Sequence, residues 1–264
     1  MSRSGGHFIW YELMTPDADA AAVFYGAVVG WQIAATANVE PGTRDYRMIV
    51  RDDGGNAGGV LQLTREMCAA GAAPMWIPYL QVEDVDATLR AIAQEGGAVQ
   101  MPPVDLPVGR IAMVTDPQGI PIYLMDPIPP ADAPDAVSDV FAPAKVQHVS
   151  WNELASPDLE ASRSFYSRHF GFEFNESTSL GGKGEYCYVD HDGRRLGAML
   201  QHQNGQDAAW LMYFRVPSID TASERIEQLG GRVLQSSRAV PWGERVLIGR
   251  DPQGATFGLV GPGR

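Results

Sequence analysis

The opening stretch of the chain alternates apolar and polar residues and then changes its period. FIWYEL (8–13) is rich in aromatic and β-branched residues and alternates in the manner of a strand. TPD (15–17) supplies a threonine N-cap, a proline at the first helical position and an acid in the first turn. The pattern therefore predicts a strand and then a helix that ends near Gly30, followed by strands at 46–50 and 59–63.

A second strand and helix follow with the same logic. The apolar run at 77–82 predicts a strand, and the segment 84–95 predicts a helix that Gly96 and Gly97 close. The last strands of this segment are joined by DPQG (116–119), whose Asp, Pro and Gly positions are typical of a type I turn. The repeating unit is a strand, a helix and two or three strands, which favours an α+β fold over a doubly wound sheet.

The whole succession occurs twice in the chain. Residues 7–31 align without gaps on residues 148–172, and 10 of these 25 positions are identical. Later motifs agree: GGVLQ (58–62) corresponds to GAMLQ (197–201), and DPQG recurs at 251–254. The sequence therefore predicts a tandem duplication with four strand–helix–strand modules.

A proline-rich segment separates the two copies. PIPPADAPDAVSDVFAPAK (127–145) contains five prolines among small and acidic residues, so it can continue neither a helix nor a central strand. We expect a first domain at 1–126, a semi-rigid linker at 127–145 and a second domain at 146–264.

Composition and charge exclude several classes of partner. Of the 264 residues, 45% are apolar and 20% are charged, and 20 basic against 32 acidic residues give a net charge of −12. Nucleic acids and anionic membranes need a basic surface, so neither is expected as a partner. Cys68 and Cys187 form no metal or disulfide motif, and no apolar run suits a signal or a membrane span. We expect a cytoplasmic monomer (an internal pseudo-dimer) or a homodimer that takes a small-molecule ligand or substrate.

Three motifs resemble one known superfamily. They are the strand–[ST]PD–helix–FYG opening, VEDVDAT with its following GG, and GRIAMVTDPQGIPIYLM, each with a copy in the second half. The chain resembles the vicinal oxygen chelate superfamily, which includes glyoxalase I, extradiol dioxygenases and bleomycin-resistance proteins. The resemblance implies tandem glyoxalase-like domains, whose four βαβββ modules form open cup-shaped sheets around a small molecule. Because that scaffold serves isomerases, dioxygenases, epimerases and binding proteins, it leaves the reaction open.

The superfamily's metal-ligand positions carry unusual residues in this chain. No residue at these positions is a usual ligand for a divalent cation, so we expect no cofactor and no metal at the usual site. A displaced divalent metal site that combines Glu12 or Glu153 with His202 is the alternative. The positions that correspond to the family's ligands are Trp10, Ile77 and Tyr123 in the first half and Trp151, Leu211 and Gly258 in the second.

Strand alternation places a set of aromatic and carboxylate groups on the inward face. Glu12 and Glu153 follow Trp10 and Trp151 by two residues, so each pair shares a face, whereas His7 falls on the opposite one. A carboxylate beside an indole loses solvation and needs a partner, or its pKa rises. The expected ligand-binding residues are Trp10, Tyr79, Arg110 and Tyr123 in the first half, and Trp151, Tyr213 and Arg245 in the second.

Two functions remain open at this point. The first is a glyoxalase/bleomycin-resistance type of protein that binds a partly apolar small molecule in aromatic-lined cups. The second is a lyase, isomerase, hydroxylase or dioxygenase that uses Glu12 or Glu153 as a general base or as a non-standard metal ligand. In the simplest case Arg110 or Arg245 instead forms a structural ion pair with the glutamate.

Overall fold

The computed structural model of the protein describes residues 5–34, 44–203, 207–240 and 243–263. These residues form four successive modules of one strand, one long helix and three further strands. No helix in the described ranges is long and apolar enough to cross a membrane.

The bounds of the elements are similar in the four modules. The first module contains β1 (Phe8–Thr15), α1 (Ala18–Val28), β2 (Gln32–Ile33), β3 (Tyr46–Val50) and β4 (Asn56–Gln62), followed by the short helix α2 (Arg65–Ala69). The second contains β5 (Met75–Gln81), α3 (Val85–Gln94), β6 (Ala98–Leu106), β7 (Gly109–Thr115) and β8 (Pro121–Pro127). The third contains β9 (Val149–Ser156), α4 (Leu159–Phe170), β10 (Ser177–Ser179), β11 (Glu185–His191) and β12 (Arg194–Gln201). The fourth contains β13 (Ala209–Arg215), α5 (Ile219–Gln228), β14 (Arg232–Ala239), β15 (Arg245–Arg250) and β16 (Thr256–Gly261).

The strands form two open sheets with the same topology. The first has the order β2-β3-β4-β1-β5-β8-β7-β6, and the second has the order β10-β11-β12-β9-β13-β16-β15-β14. In each module the first strand pairs in parallel with the last one, for example β1 with β4 and β9 with β12. The predicted duplicated α+β fold with four βαβββ modules is confirmed.

The helix starts differ slightly from the sequence prediction. The N-caps of α1 and α4 are Asp17 and Asp158, whose carboxylates accept from the backbone N–H three residues on at 2.9 and 3.0 Å. The expected threonine cap at residue 15 is therefore wrong: Thr15 ends β1, and its hydroxyl accepts from the N–H of Asp17 at 3.3 Å. Because Pro16 separates strand from helix, the aspartate is the first residue whose side chain can reach the orphan N–H groups.

Contacts divide the chain into two compact units that do not follow the sequence halves. Unit 1 comprises Met1–Ile9, Ile77–Asp139 and Asn152–Trp210 and so combines the second and third modules. Unit 2 comprises Trp10–Trp76, Val140–Trp151 and Leu211–Arg264, which combines the first and fourth modules. Each unit thus draws one module from each copy of the duplication.

A buried hydrogen-bond chain joins the two modules inside unit 2. Tyr25, from the FYG motif on α1, donates to Oδ2 of Asp251, the first residue of the second DPQG turn, at 3.1 Å. Trp76 donates its Nε1–H to the same tyrosine hydroxyl at 2.9 Å. Oδ1 of Asp251 accepts three backbone N–H groups of its own turn, so both carboxylate oxygens are used.

Unit 1 contains the equivalent hydrogen-bond chain. Tyr166 on α4 donates to Oδ2 of Asp116 at 3.1 Å, and Trp210 donates to the Tyr166 hydroxyl at 3.0 Å. Both tyrosines are fully buried. The tyrosine of the repeated Phe-Tyr pair and the aspartate of the repeated DPQG turn therefore join one module to another.

The two buried aspartates give the stability a defined pH dependence. Burial raises the pKa of Asp116 and of Asp251 above the ordinary value of 3.8. The folded chain then holds these protons more tightly than the unfolded chain, so their contribution to stability is greatest below pH 3.8 and declines as the pH rises through the raised pKa.

The variant Asp116→Asn tests this pH dependence. Chemical denaturation should show that the substitution lowers the free energy of unfolding less at pH 7 than at pH 4. An equal or larger cost at pH 7 would contradict the direction of this shift.

Candidate functional site

A glutamate, a tyrosine and a tryptophan meet on one face of the sheet in unit 2. Glu12 lies in the middle of β1 and is 2% exposed. The Tyr46 hydroxyl, at the start of β3, accepts the Nε1–H of Trp10 at 2.7 Å and hydrogen-bonds to Glu12. Both Trp10 and Glu12 reach the same hydroxyl, which confirms that they share a face of β1.

The protonation of Tyr46 fixes the direction of this chain. Burial and then the neighbouring charge of Glu12 raise the pKa of Tyr46 above its ordinary value of 10.0. The phenol therefore keeps its proton throughout the physiological range. It donates that proton to the Glu12 carboxylate and accepts from Trp10, so the indole orients the phenol and the phenol orients the acid.

The tight packing of Tyr46 depends on a glycine in the neighbouring strand. Gly59 of β4 lies opposite Glu12 of β1 in the register of the sheet. A Cβ at residue 59 would lie 2.1 Å from the Tyr46 hydroxyl oxygen, so the phenol lies directly over the glycine backbone. This glycine lets the tyrosine approach Glu12 across the face of the sheet.

The third module repeats the acid and its phenol. Glu153 is 7% exposed, and one of its carboxylate oxygens accepts the hydroxyl of Tyr186 at 2.7 Å. In the register, Glu153 lies opposite Ala198, and Tyr186 lies opposite Leu200, which matches Glu12 with Gly59 and Tyr46 with Leu61. The Glu–Tyr pair is therefore a duplicated feature, which both units contain.

Sequence reasoning identified the two acids and missed the two phenols. Tyr46 and Tyr186 open the corresponding segments YRMIV (46–50) and YCYVD (186–190), so the shared tyrosine was visible as a repeated position. The tyrosine faces the glutamate because of the register between the strands. Irregular turns before β4 and β12 set that register, which could not be predicted from the sequence.

The two candidate arginines have other partners. Arg110 donates to both oxygens of Asp86 at 2.8 and 3.2 Å and to Asp105 at 2.7 Å. Arg245 donates to the hydroxyl and the backbone carbonyl of Ser237 at 2.6 and 2.8 Å. The expectation that these arginines form structural ion pairs with the glutamates is therefore wrong. Each acid bonds to a tyrosine hydroxyl instead. Arg110 on β7 is held by Asp86 of α3 and Asp105 of β6, and Arg245 on β15 is held by Ser237 of β14.

The remaining aromatic candidates fall into an accessible and a packed group. Trp10 and Trp151 are half-buried, which leaves part of each side chain accessible. Tyr79 and Tyr123 are buried and stack on each other, with ring centroids 4.2 Å apart. Tyr213 is 3% exposed and lies over Gly258, where a Cβ would come within 2.4 Å of its ring. A role in ligand binding stays a prediction for all five, and the two tryptophans have the surface for it.

The residues at the superfamily's metal positions do not suit a metal. Trp10 and Trp151 offer an indole N–H, Ile77 and Leu211 offer no donor atom, and Gly258 has no side chain. Tyr123 is held in its stack with Tyr79. His202 directly follows β12, and its backbone N–H donates to the carbonyl of Ser156 at 2.8 Å. Within the described ranges, no cluster of three metal-capable side chains contains Glu12, Glu153 or His202.

A cavity of about 420 Å³ lies apart from the Glu–Tyr pair of unit 1. It lies beside the start of α4, and charged and polar groups make up most of its wall. Neither Glu153 nor Tyr186 lines it, and Cys187, the neighbour of Tyr186 on β11, points into it from the other face of the strand. Its lining includes Glu160, Arg163, Phe174, Glu176, Glu185 and Cys187.

Comparisons with known proteins agree on one family. A family model described as the Glyoxalase/Bleomycin resistance protein/Dioxygenase superfamily matches residues 7–124 and 145–259. The Mycobacterium tuberculosis protein named "Putative glyoxylase CFP32" is 27% identical, and the match covers 96% of this chain and 94% of the relative. Anthracycline biosynthesis protein DnrV of Streptomyces peucetius is 30% identical over 125 residues, which are 42% of this chain and 45% of the relative.

Solved structures show the same fold at low identity. The Mn(II)-bound glyoxalase from Novosphingobium aromaticivorans superposes with a TM-score of 0.62 at 16% identity, covering 98% of this chain and 82% of that chain. The 2,3-dioxygenase LapB from Pseudomonas sp. KL28 gives a TM-score of 0.60 at 13% identity, covering 99% of this chain and 92% of that chain. Identities this low establish the shared architecture and leave the chemistry to the residues of each site.

Proposed function

Because the chain belongs to the Glyoxalase/Bleomycin resistance protein/Dioxygenase superfamily, we propose that it uses the duplicated Glu–Tyr faces to bind a partly apolar small molecule. The observation that carries this proposal is the pair formed by Glu153 and Tyr186 at 2.7 Å, together with its counterpart formed by Glu12 and Tyr46. Binding then proceeds without a metal at the superfamily's usual positions, where Trp10 and Trp151 take the place of the first ligand.

The chemistry of each face suits an aromatic ligand that carries a polar or cationic group. The accessible part of each half-buried indole supplies a flat apolar wall, and Trp and Tyr rings favour stacking or edge contacts with other rings. A carboxylate has about four lone-pair sites, so it can accept from a donor on the ligand as well as from the tyrosine. A few fixed polar groups in an apolar wall are typical of small-molecule sites, where they set the orientation of the ligand.

The named relative in anthracycline biosynthesis suggests a first ligand class to try. Anthracyclines combine a planar fused-ring system with a cationic amino sugar, and these two parts match the indole wall and the carboxylate. The net charge of −12 also favours a cationic ligand over an anionic one. We therefore propose planar, cationic aromatic compounds as the ligand class.

Equilibrium dialysis with the anthracycline daunorubicin tests this proposal. We expect saturable binding. Glu12→Gln or Glu153→Gln should lower the affinity of the affected face by about 10–100-fold, because a hydrogen bond to a charged group contributes roughly 1.5–3 kcal/mol. Glu160→Gln, a substitution in the wall of the separate cavity, is the matched control and should leave the affinity unchanged. Binding that depends on Glu160 and not on Glu12 or Glu153 would contradict the proposal, as would a lack of saturable binding.

An enzymatic role is the second candidate, and the same pair supports it. A buried carboxylate is suited to take a proton beside a carbonyl, and the phenol polarises the carbonyl oxygen when its hydroxyl turns from the acid to the bound substrate. In that case Glu153→Gln abolishes turnover of a bound carbonyl compound and leaves its affinity nearly unchanged. In a pure binding protein the same variant lowers affinity, and no conversion of the ligand occurs.

A further inference from the structure

Two histidines and an aspartate meet at one end of unit 1, away from the Glu–Tyr pair. His7 precedes β1, His191 ends β11, and Asp192 begins the turn to β12. Nε2 of His7 lies 3.1 Å from Oδ2 of Asp192, and Nε2 of His191 lies 3.7 Å from the same oxygen. Their ligand atoms all lie within 4.8 Å of one another. No step of the proposed binding function uses these three side chains.

The hydrogen bonding of His191 leaves one ring nitrogen available. Nδ1 of His191 lies 3.1 Å from the backbone carbonyl of Gly171, so this nitrogen carries the proton and donates it. In this tautomer the lone pair of the ring lies on Nε2. That atom is buried in a residue that is only 5% exposed, and it has no hydrogen-bond partner. Metal-binding histidines typically show this arrangement, in which the second nitrogen donates to a carbonyl and fixes the ring.

The backbone around His191 holds the ring in place. Gly6 has φ +99°, and a Cβ there would lie 2.0 Å from the carbonyl oxygen of Phe170 and 3.0 Å from Nε2 of His191. The backbone of Asp192 adopts a left-handed conformation with φ +48°, which is uncommon for a residue other than glycine. The close approach of the chain and the left-handed aspartate bring the three side chains together.

The equivalent turn in unit 2 carries a permanent cation. Arg51 follows β3 as His191 ends β11, and it is 2% exposed. Its guanidinium donates to Asp53 at 3.0 Å and to the carbonyl of Asn56 at 2.6 Å. The fold therefore places a buried guanidinium at this turn in one module, whereas the other module has an imidazole beside an acid.

We propose that His7, His191 and Asp192 bind one divalent first-row transition metal ion. Two imidazole nitrogens and one carboxylate oxygen form a donor set suited to Zn²⁺ or Co²⁺. Metal–ligand bonds of about 2.0–2.2 Å in a tetrahedral site put ligand atoms roughly 3.3 Å apart, close to the separations of 3.1 and 3.7 Å. The side chains of His7 and Asp192 are 31% and 49% exposed, so water can reach the fourth position.

The ion would join the start of β1 to the turn between β11 and β12. These segments are distant in the sequence, and the ion would add its binding free energy to the folded state of unit 1. The site differs from the superfamily's ligand positions, because it lies at a turn and not on the face that carries Glu153. The Glu–Tyr binding proposal and this proposal therefore stand or fall separately.

Titration of chelator-treated full-length protein with Co²⁺ and Zn²⁺ tests the site. We expect one equivalent of Co²⁺ to produce visible d–d absorption that Zn²⁺ abolishes. Zn²⁺ at about a hundredfold over its Kd should raise Tm by roughly 5–10 °C. His191→Gln and Asp192→Asn should each weaken binding more than the roughly 10–100-fold that loss of an outer-shell partner costs.

Asp192→Asn and one control variant separate the site from other causes. Asn tolerates the left-handed conformation, so Asp192→Asn keeps the turn and tests the ligand alone. His202→Gln removes a histidine outside the cluster and should bind as the unaltered chain does. The proposal is overturned if neither metal binds, if the Co²⁺ spectrum and the Tm shift survive in Asp192→Asn, or if His202→Gln abolishes both.

Discussion

Replacing Tyr25 by Phe should lower the free energy of unfolding by about 3 kcal/mol. The substitution leaves two buried groups without their partner, the Nε1–H of Trp76 and Oδ2 of Asp251. Each unsatisfied buried group costs roughly 1–3 kcal/mol, and removal of one hydroxyl creates no compensating contact. For a chain of this size the change corresponds to a fall in Tm of roughly 6–12 °C. Chemical denaturation and calorimetry measure both quantities.

Two companion variants give this experiment its control. Tyr166→Phe removes the equivalent hydroxyl in unit 1, with Asp116 and Trp210 as the partners left behind, and should cost about as much. Tyr188→Phe removes an exposed hydroxyl that lies 3.2 Å from Thr178, and should cost less than about 1 kcal/mol. Equal effects at Tyr25 and Tyr188 would show that the buried chains do not fasten the modules.

Gly197→Ala should destabilise unit 1 even more strongly. Gly197 of β12 lies opposite Asn152 of β9, and a Cβ there would lie 1.8 Å from the backbone oxygen of Asn152. Since the obstructing atom belongs to the backbone, the strands must separate beside Glu153 to admit a methyl group. Overpacking costs about 1–3 kcal/mol where side chains can adjust, and we expect more than about 3 kcal/mol here. Loss of soluble folded protein or a fall in denaturation midpoint measures the effect.

A second glycine provides the control for this substitution. Gly182 lies in a short turn, its φ angle is outside the left-handed region, and no atom lies within 4 Å of the place that an alanine methyl group would take. Gly182→Ala should therefore leave stability unchanged within about 0.5 kcal/mol. If Gly197→Ala were equally neutral, the two strands would not be as close as the structure places them. Gly58 occupies the equivalent position in unit 2, where a Cβ would lie 2.2 Å from the Tyr11 carbonyl oxygen.

Local sequence patterns predicted most of the secondary-structure elements of the fold. Alternation at 8–13, the Gly96–Gly97 helix end and the DPQG turns all predicted elements that the structure contains, because each depends on residues close in the chain. The partner of each DPQG aspartate was not predictable in this way. Asp116 bonds to Tyr166 and Asp251 bonds to Tyr25, so each link joins modules from different copies of the repeat, which periodicity cannot reveal.

The candidate site was predictable only along single strands. Period-two alternation correctly placed Trp10 and Glu12 on one face, because both residues belong to β1. Arg110 was assigned to the acid by its charge and its position before the DPQG turn, whereas the fold brings it to Asp86 of α3 and Asp105 of β6. The cluster of His7, His191 and Asp192 was missed for a similar reason, because the two histidines lie in segments whose meeting depends on the turn before β12.

A crystal structure of the chain grown with daunorubicin tests the central claim most directly. We expect the ring system to lie against the indole of Trp10 or Trp151, with the amino group within hydrogen-bond distance of the Glu12 or Glu153 carboxylate. The opposite result is a ligand that occupies the charged cavity beside Arg163 and leaves both Glu–Tyr pairs untouched. That outcome would show that the duplicated acids are structural and that binding belongs to another part of the fold.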